Sequence, residues 1–445
     1  MDDREESKEY VLQQARDHDV KFIRLWFTDI LGTLKSLAIT VEQLEDALEE
    51  GMVFDGSAIE GFARMDETDM IALPDPSTFQ VLPWRPRSQG VARMFCDIYL
   101  PDGKPFDGDP RYVLKRNLQR ASDLGYTFYV EPELEFFYFK SSLGTEGLDS
   151  GGYLDLTPMD SASDLRRETV LTLEEMGIGV EYSHHEVAAS QHEIGLRYTD
   201  ALTMADAAMT YRMVVKEVAM TRGFYATFMP KPVAGQNGSG MHTHQSLFRG
   251  ERNAFYDHDE GFHLSAIALG YMAGLLRHAR EITVITNQWV NSYKRLIPGY
   301  EAPVYCTWAA GRNWSNLVRV PELKAGQEDQ CRIEYRAPDP ACNPYLAFAV
   351  MLGAGLEGIE KEYALQQPTE RNVFGMTDPE RVAANIETLP GSLNEAIEVA
   401  QTSDLLRRCL GDHLFESVLR NKRIEWADYS SHVSDYELKR YLPIL

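Results

Sequence analysis

The segment YVEPELEFFYF at 129–139 places Glu131, Glu133 and Glu135 at every second position of an aromatic-rich run. On a strand, successive side chains alternate between faces, so all three carboxylates point one way and Phe137 and Phe139 continue that face. Like charges along one sheet face repel unless a cation sits among them. A solvated sheet face is the simpler arrangement. The aromatic residues Phe136 to Phe139 argue instead for burial, and a buried acidic face calls for a metal ion.

Three further clusters carry chemistry. HHEVAASQHEIGLRY (184–198) gathers His184, His185, Glu186, His192 and Glu193. A His/Glu-only cluster fits zinc or iron, whereas a carboxylate majority suits Mg²⁺ or Mn²⁺ with retained waters. Each histidine taken singly is more often a structural residue than a ligand. In KPVAGQNGSGMHTHQS (231–246), Gly235, Gly238 and Gly240 let the backbone approach a ligand, and His242 and His244 share a face of the strand that follows. An NGSG turn alone is an ordinary hairpin loop. Last come Arg295, Arg312, Arg319, Arg332 and Arg336, with Glu334 between the final two. Guanidinium groups clamp phosphates and carboxylates bidentately; pairing with surface acids is the alternative, and it suits Arg312 better than Arg332 or Arg336.

The 68 Asp+Glu against 44 Lys+Arg leave a net charge of −24, which speaks against a nucleic-acid or anionic-membrane partner. The acidic start MDDREESKEY is unlike a signal or transit peptide, and no apolar run approaches the roughly 20 residues of a membrane span. The 5 cysteines include no CxxC pair, and a reducing cytoplasm is the expected location. Residues 22–39 read as two strands around a Gly32 turn. Thr40 with Gln43 reads as a capping box starting a helix with Val41, Leu44 and Leu48 on one face and Gly51 at its end. Turn formers crowd 74–110, placing a domain boundary near 100–110, and helical patterns follow at 161–177 and 263–286. Strands and helices do not alternate regularly, so the expected class is α+β.

Together with FDGSAIEGFAR (54–64), NSYKRLIPGYEAP, RIEYRAPDPACNPY and RNKRIEWADYSSHVSDYELKRYL, these clusters follow one another as in the type I glutamine synthetases. The chain resembles that family, in its short form without the adenylylation segment, over nearly its whole length. The resemblance implies a small N-terminal β-grasp-like domain (1–105) that contributes to the neighbouring subunit's site. It implies a large catalytic domain (106–445) with a curved antiparallel sheet and helices, ending in an inter-ring helix capped by Ser434 and Glu437. Two Mg²⁺ or Mn²⁺ ions are implied, one on Glu135, Glu186 and Glu193 and one on Glu133, His242 and Glu334, with Glu131 not a ligand.

By the same resemblance, the γ-carboxylate of glutamate takes the γ-phosphate of ATP, and ammonium or a small amine then displaces phosphate. Asn237, Gly238 and Arg295 would hold glutamate, and Arg319, Arg332 and Arg336 would face phosphates, Arg336 with a catalytic part. Glu181, Tyr198, His244 and Ser246 would contact ATP, with Tyr198 stacked on adenine. Asp55 would deprotonate ammonium, Tyr153 would line the ammonium pocket and Glu301 would close a flap against water. The implied assembly is a dodecamer of two hexameric rings.

Two positions depart from the family pattern within the site: Ala58 replaces a second serine near the ammonium pocket, and Trp314 replaces a phosphate-facing arginine. Phe374 occupies the position of the tyrosine modified in the adenylylated branch, whereas Arg64, tied in the short-form branch to glutamine feedback, is kept. The default reading is glutamate–ammonia ligase. A γ-glutamylamide synthetase using an alkylamine, ethanolamine or polyamine is the sibling reading, favoured by Ala58; an inactive structural or regulatory relative and a metal-dependent phosphohydrolase are more distant ones.

Overall fold

The structure is a computed structural model and describes residues 3–62, 69–311 and 315–445; Arg64, Arg312 and Trp314 lie outside the described residues. After a first helix, Asp3–Asp17, the chain forms β1 (Val20–Thr28) and β2 (Leu34–Thr40), paired antiparallel through the Gly32 turn. With β3 (Met52–Asp55), β4 (Asp69–Pro74), β5 (Gln80–Val81) and β6 (Gly90–Tyr99) they make a six-stranded sheet in the order β2-β1-β6-β4-β3, with β5 on β6. The β1–β6 pair is parallel and the others are antiparallel.

The expected capping box at Thr40 is not formed. Residues Val41–Gln43 make a 3₁₀ turn, Thr40 gives no side-chain cap and the α-helix starts only at Leu44. The Thr40 hydroxyl instead bonds the Glu42 carboxylate. Leu44, Ala47 and Leu48 are still the buried face, and Gly51 ends the helix at φ 74. At the C-terminus the capping box of Ser434 and Glu437 is present, on the helix Asp435–Tyr441.

The larger sheet has ten strands. It is built on β7 (Thr127–Phe139), β8 (Val180–His185), β9 (Gln191–Leu196), β10 (Thr199–Asp200), β11 (Tyr225–Thr227), β12 (Met241–Arg249), β13 (Arg252–Asn253), β14 (Tyr305–Ala310), β15 (Asn316–Val320) and β16 (Ile333–Tyr335). Its main path runs β14-β15-β16-β12-β7-β9-β8, antiparallel except for β14–β15. The sheet's apolar side chains join one core with those of the helices Ala201–Thr221, Ala266–Thr286 and Pro344–Glu360. The last two of these helices cross closely because Gly274 and Gly358 face one another. A Cβ at Gly274 would stand 2.1 Å from the carbonyl of Ala354.

A buried guanidinium ties the small sheet to the large domain. Arg111 donates to Asp75 (2.8 Å), to Asp97 (2.7 Å) and twice to Asp206 (3.2 and 3.0 Å), and the Tyr345 hydroxyl donates to Asp206 at 2.6 Å. All five cysteines are buried and unpaired. Among the described residues no helix is long and apolar enough to cross a membrane.

Candidate active site

Strand register assembles the acidic face in rows. Directly opposite residues of an antiparallel pair share a face, so the pairing aligns His184, Glu193 and Glu135 across β8, β9 and β7. One step along, Gly195, Glu133 and His242 align, and beyond them Glu131, His244, Glu334 and Arg319. A strand of alternating glutamates thus becomes a field of carboxylates and imidazoles once β12 and β9 flank it. Phe137 and Phe139 continue the face as a stacked pair at 5.8 Å, packed with Ala188.

Two groups form within this field. His184 stands 3.5 Å from both Glu186 and Glu193. In the second, His242 Nδ1 lies 3.4 Å from Glu133 and 3.3 Å from Glu334, while His244 Nε2 lies 3.1 Å from Glu133. Arg336 Nε reaches Glu334 at 3.2 Å, and Arg319 bonds its other oxygen. Glu133, Glu135, Glu186, Glu193, His242 and Glu334 all line one cavity of about 700 Å³, together with Tyr153, Tyr182, Glu301, Arg319 and Arg336.

A neighbouring cavity of about 420 Å³ is lined by Glu181, Tyr198, His244, Ser246 and Arg332 and by Tyr129, whose ring meets Tyr198 edge-on at 5.8 Å. His244 belongs to its wall and bonds Glu133 in the first cavity, so the two spaces meet there. Arg332 lies 3.3 Å from the other nitrogen of His244 and 3.8 Å from Glu131.

The glycine segment packs against Arg295 and Glu135. A Cβ at Gly238 would meet the Pro230 carbonyl at 2.2 Å, and one at Gly240 would meet the Arg295 guanidinium at 2.6 Å. Arg295 is buried and donates to the carbonyls of Ala337 (2.7 Å) and Pro338 (3.3 Å). Asn237 donates to Glu301 at 2.7 Å. Asp55 lines neither cavity of its own chain: exposed at the end of β3, it accepts from the N–H and hydroxyl of Ser57 at 3.0 and 2.8 Å. Ala58 is half-buried in the 3₁₀ turn Gly56–Ile59 that Asp55 caps.

The electrostatics follow from burying so many carboxylates. Burial first, and then the neighbouring Glu186 and Glu193, pushes Glu135 well above the usual carboxylate range; burial with Glu133 and Glu186 does the same to Glu193. Glu186 is raised to about 7, chiefly by burial. Glu133 is held low despite its burial, by His244 and His242. In the metal-free protein Glu135, Glu186 and Glu193 cost stability when ionised. A raised folded-state pKa gives stability that is present below the ordinary value of 4.5 and is lost as pH climbs through about 7. The melting temperature of metal-free protein is therefore expected to fall between about pH 5 and pH 8, and saturating Mg²⁺ or Mn²⁺ to remove most of that fall. A flat profile in chelator would contradict this.

Two family models divide the chain: the glutamine synthetase β-grasp domain matches residues 19–101 and the glutamine synthetase catalytic domain matches residues 107–441. The chain belongs to the glutamine synthetase family. It is 54% identical over 444 residues to the glutamine synthetase of Mycolicibacterium smegmatis, covering 98% of this chain and 99% of that one. To that of Methanosarcina mazei it is 52% identical, covering 99% and 98%. Among solved structures, a GmaS/ADP complex superposes with a TM-score of 0.88 at 31% identity, over 97% of this chain and 99% of that one. The Plasmodium falciparum glutamine synthetase gives 0.87 at 25% identity, over 99% of each chain. The α+β class and the β-grasp N-terminus expected from sequence are those of the glutamine synthetase fold.

Three side chains of this glutamine synthetase site escape a reading by motif. Tyr182 donates to Glu133 at 2.7 Å, its ring lying where a Cβ at Gly195 would be 2.6 Å away. Gln191 donates to Glu135 at 2.6 Å and to the Gly238 carbonyl at 3.2 Å, linking β9 to the glycine segment. His184, noted in sequence only as one of a cluster, stacks on Tyr182 at 5.6 Å beside Glu186 and Glu193. The alternation Tyr182, His184, Glu186 was the available signal.

Proposed function

We propose that this chain is an ATP-dependent glutamate–ammonia ligase that passes through γ-glutamyl phosphate and releases glutamine, ADP and phosphate. The observation that carries the reading is the shared cavity in which five glutamates and His242 face Arg319, Arg336 and Glu301. Its donors fit hard divalent cations: mostly carboxylate, with the imidazoles of His184 and His242, and with Glu135 and Glu193, whose ionisation burial and neighbouring carboxylates disfavour. In this reading Glu135, Glu186 and Glu193 hold one Mg²⁺ or Mn²⁺, and Glu133, His242 and Glu334 the other. Bound there, such ions supply neutralisation of the phosphate charge that spreads during transfer.

The protein's own groups do the rest by position. ATP enters the smaller cavity, with Tyr198 stacked on adenine, Glu181, His244 and Ser246 beside it and Arg332 near its phosphates. Arg295, Asn237 and Gly238 hold glutamate so that a γ-carboxylate oxygen attacks the γ-phosphorus and the bond to ADP breaks. Arg319 and Arg336 face the oxygens that gain charge. Asp55 of a neighbouring protomer takes a proton from ammonium at the pocket beside Tyr153. Ammonia then attacks the acyl carbon, the C–O bond breaks with its electron pair going to phosphate, and the nitrogen gives up one proton as the amide forms.

This assigns 1–105 to a domain that serves the next subunit and 106–445 to catalysis, within a dodecamer of two hexameric rings. The exposure of Asp55, away from its own chain's cavities, supports that sharing. Replacing Tyr198 with alanine is expected to weaken ATP binding about tenfold through lost base stacking, with glutamate binding unchanged; nucleotide and glutamate titrations check it.

The test is phosphate release with glutamate and ATP, comparing ammonium with methylamine, ethanolamine and putrescine. Ammonium as the best acceptor is expected. Ammonium as the worst favours the γ-glutamylamide reading, for which the methyl group of Ala58 beside Asp55 is the specific observation.

A further inference from the structure

The segment that carries Asn237 makes a second contact to the loop that carries Glu301. Lys231 is buried, and its backbone is bonded both ways to Asn291: its N–H donates to Oδ1 at 2.7 Å and its carbonyl accepts from Nδ2 at 3.1 Å. From this anchor its Nζ donates to the Gln236 carbonyl and stands 3.7 Å from the centroid of the Tyr300 ring. Gln236 and Tyr300 immediately precede Asn237 and Glu301, whose side chains meet at 2.7 Å. One ammonium group therefore fastens the residues next to both members of that pair. The loop needs such a tie, because Ile297, Pro298 and Gly299 are exposed and Gly299 turns at φ 93.

We propose that Lys231 is a positioning residue that latches the 299–301 flap shut over the acyl phosphate, so that ammonia rather than water completes the reaction. The proposal rests on the ligase reading above. A cation over an aromatic face is attracted by the ring quadrupole, more strongly where water is excluded, as it is at buried Lys231. Without the latch the open flap gains population. Water then adds to the acyl carbon, the C–O bond to phosphate breaks, and glutamate and inorganic phosphate leave with the protons of that water. ATP is consumed and no amide forms. Lys231 lines neither cavity, so nucleotide binding is not its task.

The experiment measures the ratio of phosphate released to glutamine formed, with ATP, Mg²⁺, glutamate and saturating ammonium. In Lys231→Met and Tyr300→Leu the excess phosphate is expected to rise by about tenfold, the population shift that a desolvated cation–π contact supports. Lys231→Arg and Tyr300→Phe, which keep a cation and a ring, are expected to return close to wild type, and ADP affinity is expected to be unchanged throughout. Should Lys231→Met fail to fold, Tyr300→Leu in the half-exposed loop decides alone. Wild-type protein that forms no glutamine overturns the ligase reading itself; a coupled wild type with equally coupled variants overturns only the latch.

Discussion

Replacing Glu135 with glutamine is expected to raise the melting temperature of the metal-free protein while lowering ligase activity by about a thousandfold, the scale of losing one preorganised electrostatic contribution at a phosphoryl-transfer site. Both effects have one cause. Glu135 is buried at the cavity wall, faces Glu186 and Glu193, and is pushed up first by burial and then by those neighbours. Glutamine keeps the oxygen that accepts from Gln191 at 2.6 Å but brings no charge, so repulsion is relieved and the hydrogen bond survives. A metal ion, however, loses an anionic ligand. Differential scanning calorimetry in chelator, with Mn²⁺ titration and turnover, measures the two sides. A variant less stable without metal yet fully active would contradict the assignment of Glu135 to a cation site.

The second large effect concerns the junction of the two domains. Arg111→Met is expected to destabilise the protein by about 3–5 kcal/mol, because it takes the shared cation from buried Asp206 and half-buried Asp75 and Asp97. Arg111 is 3% exposed and serves Asp75, Asp97 and Asp206, which come from the small sheet and from the helix Ala201–Thr221. Lys115 at 2.6 Å still supports Asp97, and Asp206 keeps the Tyr345 hydroxyl and the more distant charge of Arg93. By contrast, Asp75→Ala removes one of three acids around Arg111, a half-buried one, and is expected to cost about 1 kcal/mol. Urea unfolding followed by tryptophan fluorescence compares the two; equal midpoints would mean that the junction is held by its apolar contacts instead.

These two residues mark how far the sequence is readable. The face of Glu131, Glu133 and Glu135 follows from period-two alternation, which needs no knowledge of neighbours. Which side chains stand opposite depends on register between segments more than fifty residues apart, as in the pairings of Glu135 with Glu193 and of His242 with Glu133. Only the family resemblance supplied those partners. Alternation alone puts Tyr182 on the face of His184 and Glu186, but its contact with Glu133 depends on the absence of a Cβ at Gly195 across the strand pair. Arg111 sits in an unexceptional amphipathic helix, and its role comes wholly from where three acids converge. At Thr40 the local signal was present but lost to a competitor two residues away, Glu42.

The acidic excess divides accordingly. A small set of glutamates faces the cavity, and most of the −24 is left on a surface that favours solubility. The central claim is that phosphate leaves carrying an oxygen taken from glutamate. Glutamate labelled in its γ-carboxylate with heavy oxygen, incubated with ATP, Mg²⁺ and ammonium, tests this directly by mass analysis of the phosphate released. The account predicts one labelled oxygen per phosphate, formed in step with glutamine. Unlabelled phosphate, released at the same rate whether or not ammonium is present, would contradict it.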